Sequence, residues 1–393
     1  MHAHRPRTYA LALLALSSLG ALVAGVFASS AVTKTVTPHE ASPLALPAPT
    51  GALKVGTTTL HLVDRSRRDA LAQPPAAREL MVQLWYPAAR AGIRIAPYMS
   101  AGRASTFEKL YSLPAGTFGS LPTHASESAP LAAGRHPLLL FSHGLGQIRT
   151  FSTALLEELA SRGYVVAAID HTYDAGVVEF PDGRLVDGIA PPLPAPAERQ
   201  QLLATRVGDV RFVLNELTRR ATARSGFLAG HLDLRKVGAL GHSFGGATAA
   251  AAMLADSRIA AGVDLDGKVW DEVVEKGLDR PFMLMIGDDL GGRLTSDQAQ
   301  FFAGLRGARY ALHLPGAGHF SFTDLPFFAS TLPGLDQLYD IGTIDPDRAG
   351  RALRAYVVAF FDMALLGKRA PLLSGPSAAY PEVQFLDGES SGG

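Results

Sequence analysis

The chain has 393 residues, 36 basic and 36 acidic side chains and 47% hydrophobic residues, enough to bury a large core and without the basic excess of a nucleic-acid-binding protein. It has no cysteine, so disulfides and cysteine-linked lipid are excluded and packing alone must hold it together. It lacks long like-charge runs, low-complexity tracts and a repeat in the range of about 20–50 residues, which excludes solenoids and a largely disordered chain.

Residues 1–31, "MHAHRPRTYALALLALSSLGALVAGVFASSA", place Arg5 and Arg7 before an apolar run and end in small residues, the order of an export signal. The run from Tyr9 to Phe27 is also near the roughly 20 residues that span a bilayer. An uncleaved anchor, with membrane association through this segment, is therefore the alternative. Either reading places the remainder outside the cytoplasm. Residues 32–52, rich in Thr, Pro and Ala without a period, read as an extended linker. The folded domain is then expected over 53–393.

Eight apolar runs of strand length follow in order: "LKVGTTTLHLVD", "ELMVQLWYP", "PLLLFSHG", "YVVAAID", "KVGALGHS", "IAAGVDLD", "PFMLMIG" and "ARYALHLPG". From the third onward, segments of helical spacing separate them, namely "STALLEELASRG", the long "AERQQLLATRVGDVRFVLNELTRR", "FGGATAAAAMLAD" and "SDQAQFFAGLRG", with "DRAGRALRAYVVAFFDMALLG" last. This alternation predicts an α/β fold, a mostly parallel sheet of about eight strands with helices on both faces. Ligands bind beyond the C-terminal strand ends of such sheets. The first two strands precede any helix and are expected to pair as a hairpin at the sheet edge. The Pro-, Gly-, Ala- and Ser-rich stretches 88–134 and 171–197 are expected to shape the pocket rather than the core.

Gly241-His242-Ser243-Phe244-Gly245 fits the G-x-S-x-G elbow, a sharp strand-to-helix turn that holds a serine above the sheet. Its glycines suit a turn too tight for a Cβ, and the following helix N-terminus directs N–H groups at a developing oxyanion. A serine needs a base, and this architecture supplies one in the order Ser, Asp or Glu, His. His319, in the Gly-flanked loop after the last strand, is that candidate, whereas His313 lies inside the strand. Asp264 and Asp266 end one strand and Asp288 and Asp289 follow the next; either location can orient an imidazole, and Asp264 shares a face with Asp266 if the strand runs that far. None of these aspartates has EF-hand spacing, and neither a metal nor an organic cofactor is expected. Backbone N–H groups of Leu145, in the turn after "LLLFSHG", and of Phe244 are assigned to an oxyanion hole. His143 is read as a structural hydrogen-bonding group under that turn. The aromatic run "HFSFTDLPFF" is either an acyl pocket or core.

The blocks "LLLFSHGLGQIRTFSTALLEELASRGYVVAAIDH", "GHSFGGATAA", "GVDLDG" and "GAGHFSFTD" resemble the plasma and intracellular type II platelet-activating factor acetylhydrolases of the α/β-hydrolase superfamily, over roughly residues 50–365. "GHSFGG" alone is shared with many secreted lipases and cutinases. The resemblance implies that the acid is the second aspartate of "GVDLDG", Asp266, and that the reaction is hydrolysis of carboxylic esters with short acyl groups, on a small ester or lipid substrate, through Ser243, His319 and Asp266. Asp264 is an extra carboxylate relative to the family. A secreted lipase or polyester hydrolase is the rival reading, and a non-catalytic binding protein on the same scaffold is a further one.

Overall fold

A computed structural model of the chain describes residues 44–189, 194–289, 291–329, 331–332 and 334–387. The signal or anchor segment lies outside the described residues. The described strands are β1 (Lys54–Asp69), β2 (Ala76–Ala88), β3 (Ile95–Pro97), β4 (Pro122–Glu127), β5 (His136–Ser142), β6 (Val165–Asp170), β7 (Val177–Glu179), β8 (Leu185–Asp187), β9 (Leu232–His242), β10 (Ile259–Leu265), β11 (Phe282–Ile286), β12 (Arg309–His313) and β13 (Gln384–Phe385). The helices are α1 (Ala101–Leu110), α2 (Thr153–Ser161), α3 (Pro196–Ala221), α4 (Phe244–Ala255), α5 (Glu272–Lys276), α6 (Ser296–Ala303), α7 (Leu335–Leu338) and α8 (Pro346–Leu366). Among the described residues no helix is long and apolar enough to cross a membrane.

One sheet runs in the order β13-β12-β11-β10-β9-β5-β6-β2-β1-β4-β3, and β7 and β8 form a separate hairpin. From β6 to β12 every neighbouring pair is parallel, as expected where helices cross over between strands. This is the α/β-hydrolase fold. Strand alternation divides the core. Leu138 and Leu140 of β5 face one layer with α3, α4 and α6, while Leu139 and Phe141 face the other with α2 and α8. The alanines of α4 are what let that helix lie close on β9 and β10, since larger side chains would hold the backbones apart.

Three expectations change. The β1–β2 hairpin forms, with Leu60 opposite Val82, but it is not the sheet edge. Segment 88–134 brings its own strands: β4 pairs in parallel with β1 and β3 pairs with β4. That segment also builds core, because Tyr98, Met99, Phe107 and Phe118 pack with Phe151 and Phe328 in a third apolar cluster. Lastly, residues 44–52 lie against the domain instead of extending from it. Leu46 is buried, Thr50 donates to Glu158 through its N–H and hydroxyl, and Arg354 donates to the Ala48 carbonyl. Ordered packing therefore begins upstream of Leu53.

Candidate active site

Ser243 is the single residue between the end of β9 and the start of α4, with φ 57° and ψ −123°. This is strained backbone for a side chain with a Cβ. The turn closes because its flanks are glycine. A Cβ on Gly245 would lie 1.9 Å from the Ser142 carbonyl oxygen, and one on Gly241 2.2 Å from the Gly245 carbonyl carbon. The hydroxyl so presented is half-buried.

His319 opens the short 3₁₀ turn after β12 and reaches back to Ser243, its Nε2 lying 2.9 Å from Oγ. Its Nδ1 is 2.6 Å from Asp266 Oδ2 and 3.5 Å from Asp289 Oδ2. β10 stops at Leu265 and Asp266 turns to φ 55°, so the strand alternation that would put Asp264 beside Asp266 ends one residue too early. Asp264 instead lies under the start of α4 and accepts from the Gly267 N–H at 2.8 Å. Burial pushes its carboxyl well above the usual carboxylate range. Asp288 is turned away, accepting from His313 Nε2 at 2.7 Å and from the Gly316 N–H at 2.7 Å. Burial opposes a charged imidazole at His319, but Asp266 and Asp289 outweigh it and raise its basicity above that of an ordinary histidine. Asp266, Asp289 and His319 offer ligand atoms within 4.8 Å of one another. A cation there would take Nδ1 and leave the proton on Nε2, where the ring could no longer accept from serine.

Phe244 opens α4, so its N–H has no intrahelical acceptor. Leu145 lies in the turn closed by Gln147 N–H donating to the Gly144 carbonyl at 3.1 Å, and its side chain packs on the Phe244 cluster. Arg206 of α3 ties the two together. Its guanidinium donates to the His143 carbonyl at 2.5 Å, stacks 4.8 Å from the Phe244 ring centroid, and is paired with buried Asp174. His143 donates from Nδ1 to the Gly144 carbonyl at 2.7 Å, and its Nε2 accepts the His171 N–H at 3.2 Å. Burial, followed by the nearby Arg206 charge, lowers His143 to about 3 and keeps it neutral. A second Ser–His–Asp chain lies beneath this turn: Ser142 Oγ is 3.1 Å from His171 Nε2, and His171 Nδ1 is 2.9 Å from Asp209. All three are buried, so this set braces the turn and meets no substrate. His242 spans from the Gln147 side chain, 3.0 Å away, to the His319 carbonyl, 2.8 Å away. Phe322, Leu325 and Phe328 of the aromatic run are core, whereas half-buried Phe320 sits 5.4 Å from the His319 ring.

Arg206 was absent from the sequence reading although a signal was there. On α3 the buried positions Leu203, Arg206, Val210, Val213 and Leu217 form a stripe of helical spacing, and a charge inside an apolar stripe requires a buried partner. Asp209, buried on the same face of α3, carries the same signal, whereas Gln147 and His171 left no comparable mark.

The fold and the comparisons with known proteins define a carboxylic ester hydrolase of the α/β-hydrolase class. Residues 41–180 and 221–369 match the family described as platelet-activating factor acetylhydrolase, isoform II, and the chain belongs to that family. It is 28% identical to a probable 1-alkyl-2-acetylglycerophosphocholine esterase of Arthroderma benhamiae, over 93% of this chain and 100% of that one. It is 27% identical to a platelet-activating factor acetylhydrolase of Cavia porcellus, over 67% of this chain and 65% of that one. Among solved structures it resembles a ferulic acid esterase from Streptomyces cinnamoneus, with a TM-score of 0.77 and 36% identity over 88% of this chain and 100% of that one.

Proposed function

We propose that Ser243, His319 and Asp266 act as a catalytic triad that hydrolyses carboxylic esters with short acyl groups. The observation that carries this reading is the unbroken chain of contacts from Ser243 Oγ through the imidazole to Asp266, at 2.9 and 2.6 Å, on a serine held in strained backbone. His319 Nε2 takes the hydroxyl proton as Oγ bonds to the ester carbonyl carbon, and Asp266 holds the Nδ1 proton. The tetrahedral oxyanion faces the N–H groups of Leu145 and Phe244. Collapse expels the alcohol, which receives the proton from His319. Water, deprotonated by the same ring, then releases the acid and restores the serine. Ser243→Ala should remove both esterase activity and fluorophosphonate labelling while the protein stays folded; near wild-type turnover would refute the mechanism.

The p-nitrophenyl ester series separates this reading from a lipase or polyester hydrolase, with rates expected to fall as the acyl chain lengthens. An aryl-ester reading rests on Trp270, whose ring is 5.6 Å from Phe244, and on the ferulic acid esterase relative. Methyl ferulate turned over faster than p-nitrophenyl acetate would favour it. For the N-terminal segment we propose export with cleavage near residue 31, tested by the N-terminal sequence of the mature protein.

A further inference from the structure

His242, the residue between Gly241 and the nucleophile, is fully buried and so meets no substrate. Its ring centroid lies 4.7 Å from that of His319, and its two nitrogens join loops from distant parts of the chain. On one side Nε2 is 2.8 Å from the His319 carbonyl oxygen; on the other Nδ1 is 3.0 Å from the side-chain amide of Gln147. Gln147 belongs to the Leu145 turn, which its backbone fastens through an N–H donating to the Gly144 carbonyl at 3.1 Å and a carbonyl accepting the Gly176 N–H at 2.9 Å. The side-chain amide fits because residue 144 is glycine: a Cβ there would lie 2.7 Å from Gln147 Nε2.

The polarity of this bridge follows from valence. A carbonyl oxygen can only accept, so His242 Nε2 carries a proton. Burial, and after it the charge of the neighbouring His319, holds the His242 imidazole well below its ordinary basicity, so the ring is neutral and Nδ1 is an acceptor. The Gln147 amide satisfies that lone pair by presenting its NH₂ edge, a half-turn about its last bond from the orientation that points its oxygen at the ring. The His319 peptide needs such a hold. It follows Gly316, at φ 79°, and Gly318, and its own N–H reaches Asp340 Oδ2 only at 3.4 Å.

We propose that His242 is a positioning residue for the ester hydrolysis: its Nε2–H holds the His319 carbonyl so that the imidazole meets Ser243, and Gln147 fixes the tautomer that makes this possible while tying the base loop to the Leu145 turn. The proposal rests on the triad reading above. Proton transfer requires His319 Nε2 to stay near its 2.9 Å contact with Ser243 Oγ, and a base displaced by about 1 Å costs roughly 10²-fold in turnover.

The test is steady-state hydrolysis of p-nitrophenyl acetate by two variants of the full chain. His242→Phe keeps a ring and loses the donor, whereas His242→Gln loses the ring but places an amide nitrogen the same number of bonds from Cβ as Nε2. The phenylalanine variant should lose about 10²-fold in kcat with KM within threefold, and the glutamine variant should stay within tenfold of wild type. A merely space-filling histidine gives the reverse order. Where the phenylalanine variant does not fold by its thermal melt, His242→Asn takes its place, since its amide reaches only as far as Nδ1 and should be equally slow. Gln147→Met should lower kcat at least fivefold in the wild-type background and less than twofold in His242→Gln, because Gln147 acts through the ring. A folded His242→Phe or His242→Asn enzyme within threefold of wild type, a glutamine variant slower than either, or equal losses from Gln147→Met in both backgrounds overturns the proposal. Ser243→Ala keeps the two readings apart: near wild-type turnover in that variant defeats the triad itself, whereas an inactive Ser243→Ala beside an unaffected His242→Phe defeats only the hold on His319.

Discussion

Asp266→Asn tests how the imidazole is held, and the structure gives the expected size of the effect. Asp266 Oδ1 accepts the Gly287 N–H at 2.7 Å, and Oδ2 faces His319 Nδ1 at 2.6 Å. In the asparagine variant the Gly287 N–H retains the amide oxygen, which turns the NH₂ group toward Nδ1. That group donates to Nδ1, so the ring proton moves to Nε2, and Nε2 can no longer accept from Ser243. A wrong tautomer of this kind costs up to about 10⁴-fold in kcat, or about 5.4 kcal/mol at about 1.36 kcal/mol per factor of ten. Asp289, 3.5 Å from the same nitrogen, competes for the Nδ1 proton, so the expected loss is roughly 10³- to 10⁴-fold with KM within a few-fold. Asp266→Ala carries no donating amide and leaves Asp289 in place; it should retain more activity than the asparagine variant. The assay is steady-state hydrolysis of p-nitrophenyl acetate on proteins shown to be folded by their thermal melts. A folded Asp266→Asn enzyme within threefold of wild type, or an alanine variant slower than the asparagine one, would refute the reasoning.

Two other outcomes follow from the same geometry. His319 works as a base only when neutral, and the carboxylates raise its pKa, so kcat/KM should rise with pH through a midpoint above the usual imidazole value of about 6.5. Asp289→Asn removes one raising group and should move that midpoint to lower pH; an unmoved limb in the pH–rate profile would count against a role for Asp289 at Nδ1. Arg206→Met strands Asp174, which is 5% exposed in its side chain, and should cost about 3–5 kcal/mol in urea denaturation. It also loosens the Leu145 turn, lowering kcat by up to roughly 10²-fold. Adding Asp174→Asn should recover stability but not kcat, and recovery of both would make Arg206 purely structural.

Much of the molecule is legible in local pattern. Strands β5, β6 and β9 to β12 are short apolar runs, and α2, α3, α4, α6 and α8 carry helical periodicity between them; such signals depend on neighbours a few residues apart. Ser243 in its elbow and His319 in its loop belong to the same category, since glycine positions and chain order mark them directly. The outer strands β3, β4 and β13 left no such mark. They are two to six residues long and exist because an already formed sheet offers them an unpaired edge.

The amino-acid order alone thus determined the layered α/β architecture, the serine elbow and the histidine that follows the last parallel strand, because each is written in periodicity or turn chemistry. Which of four aspartates faces His319 was decided only in three dimensions. Asp264 and Asp266 are two residues apart, yet a positive φ at Asp266 sends one carboxylate to the imidazole and leaves the other under α4, while His313 draws Asp288 away. Arg206 joins the turns on either side of the serine from a helix that begins nearly fifty residues upstream of it. Such placements depend on where separate loops converge after packing, and no spacing along the chain encodes that distance.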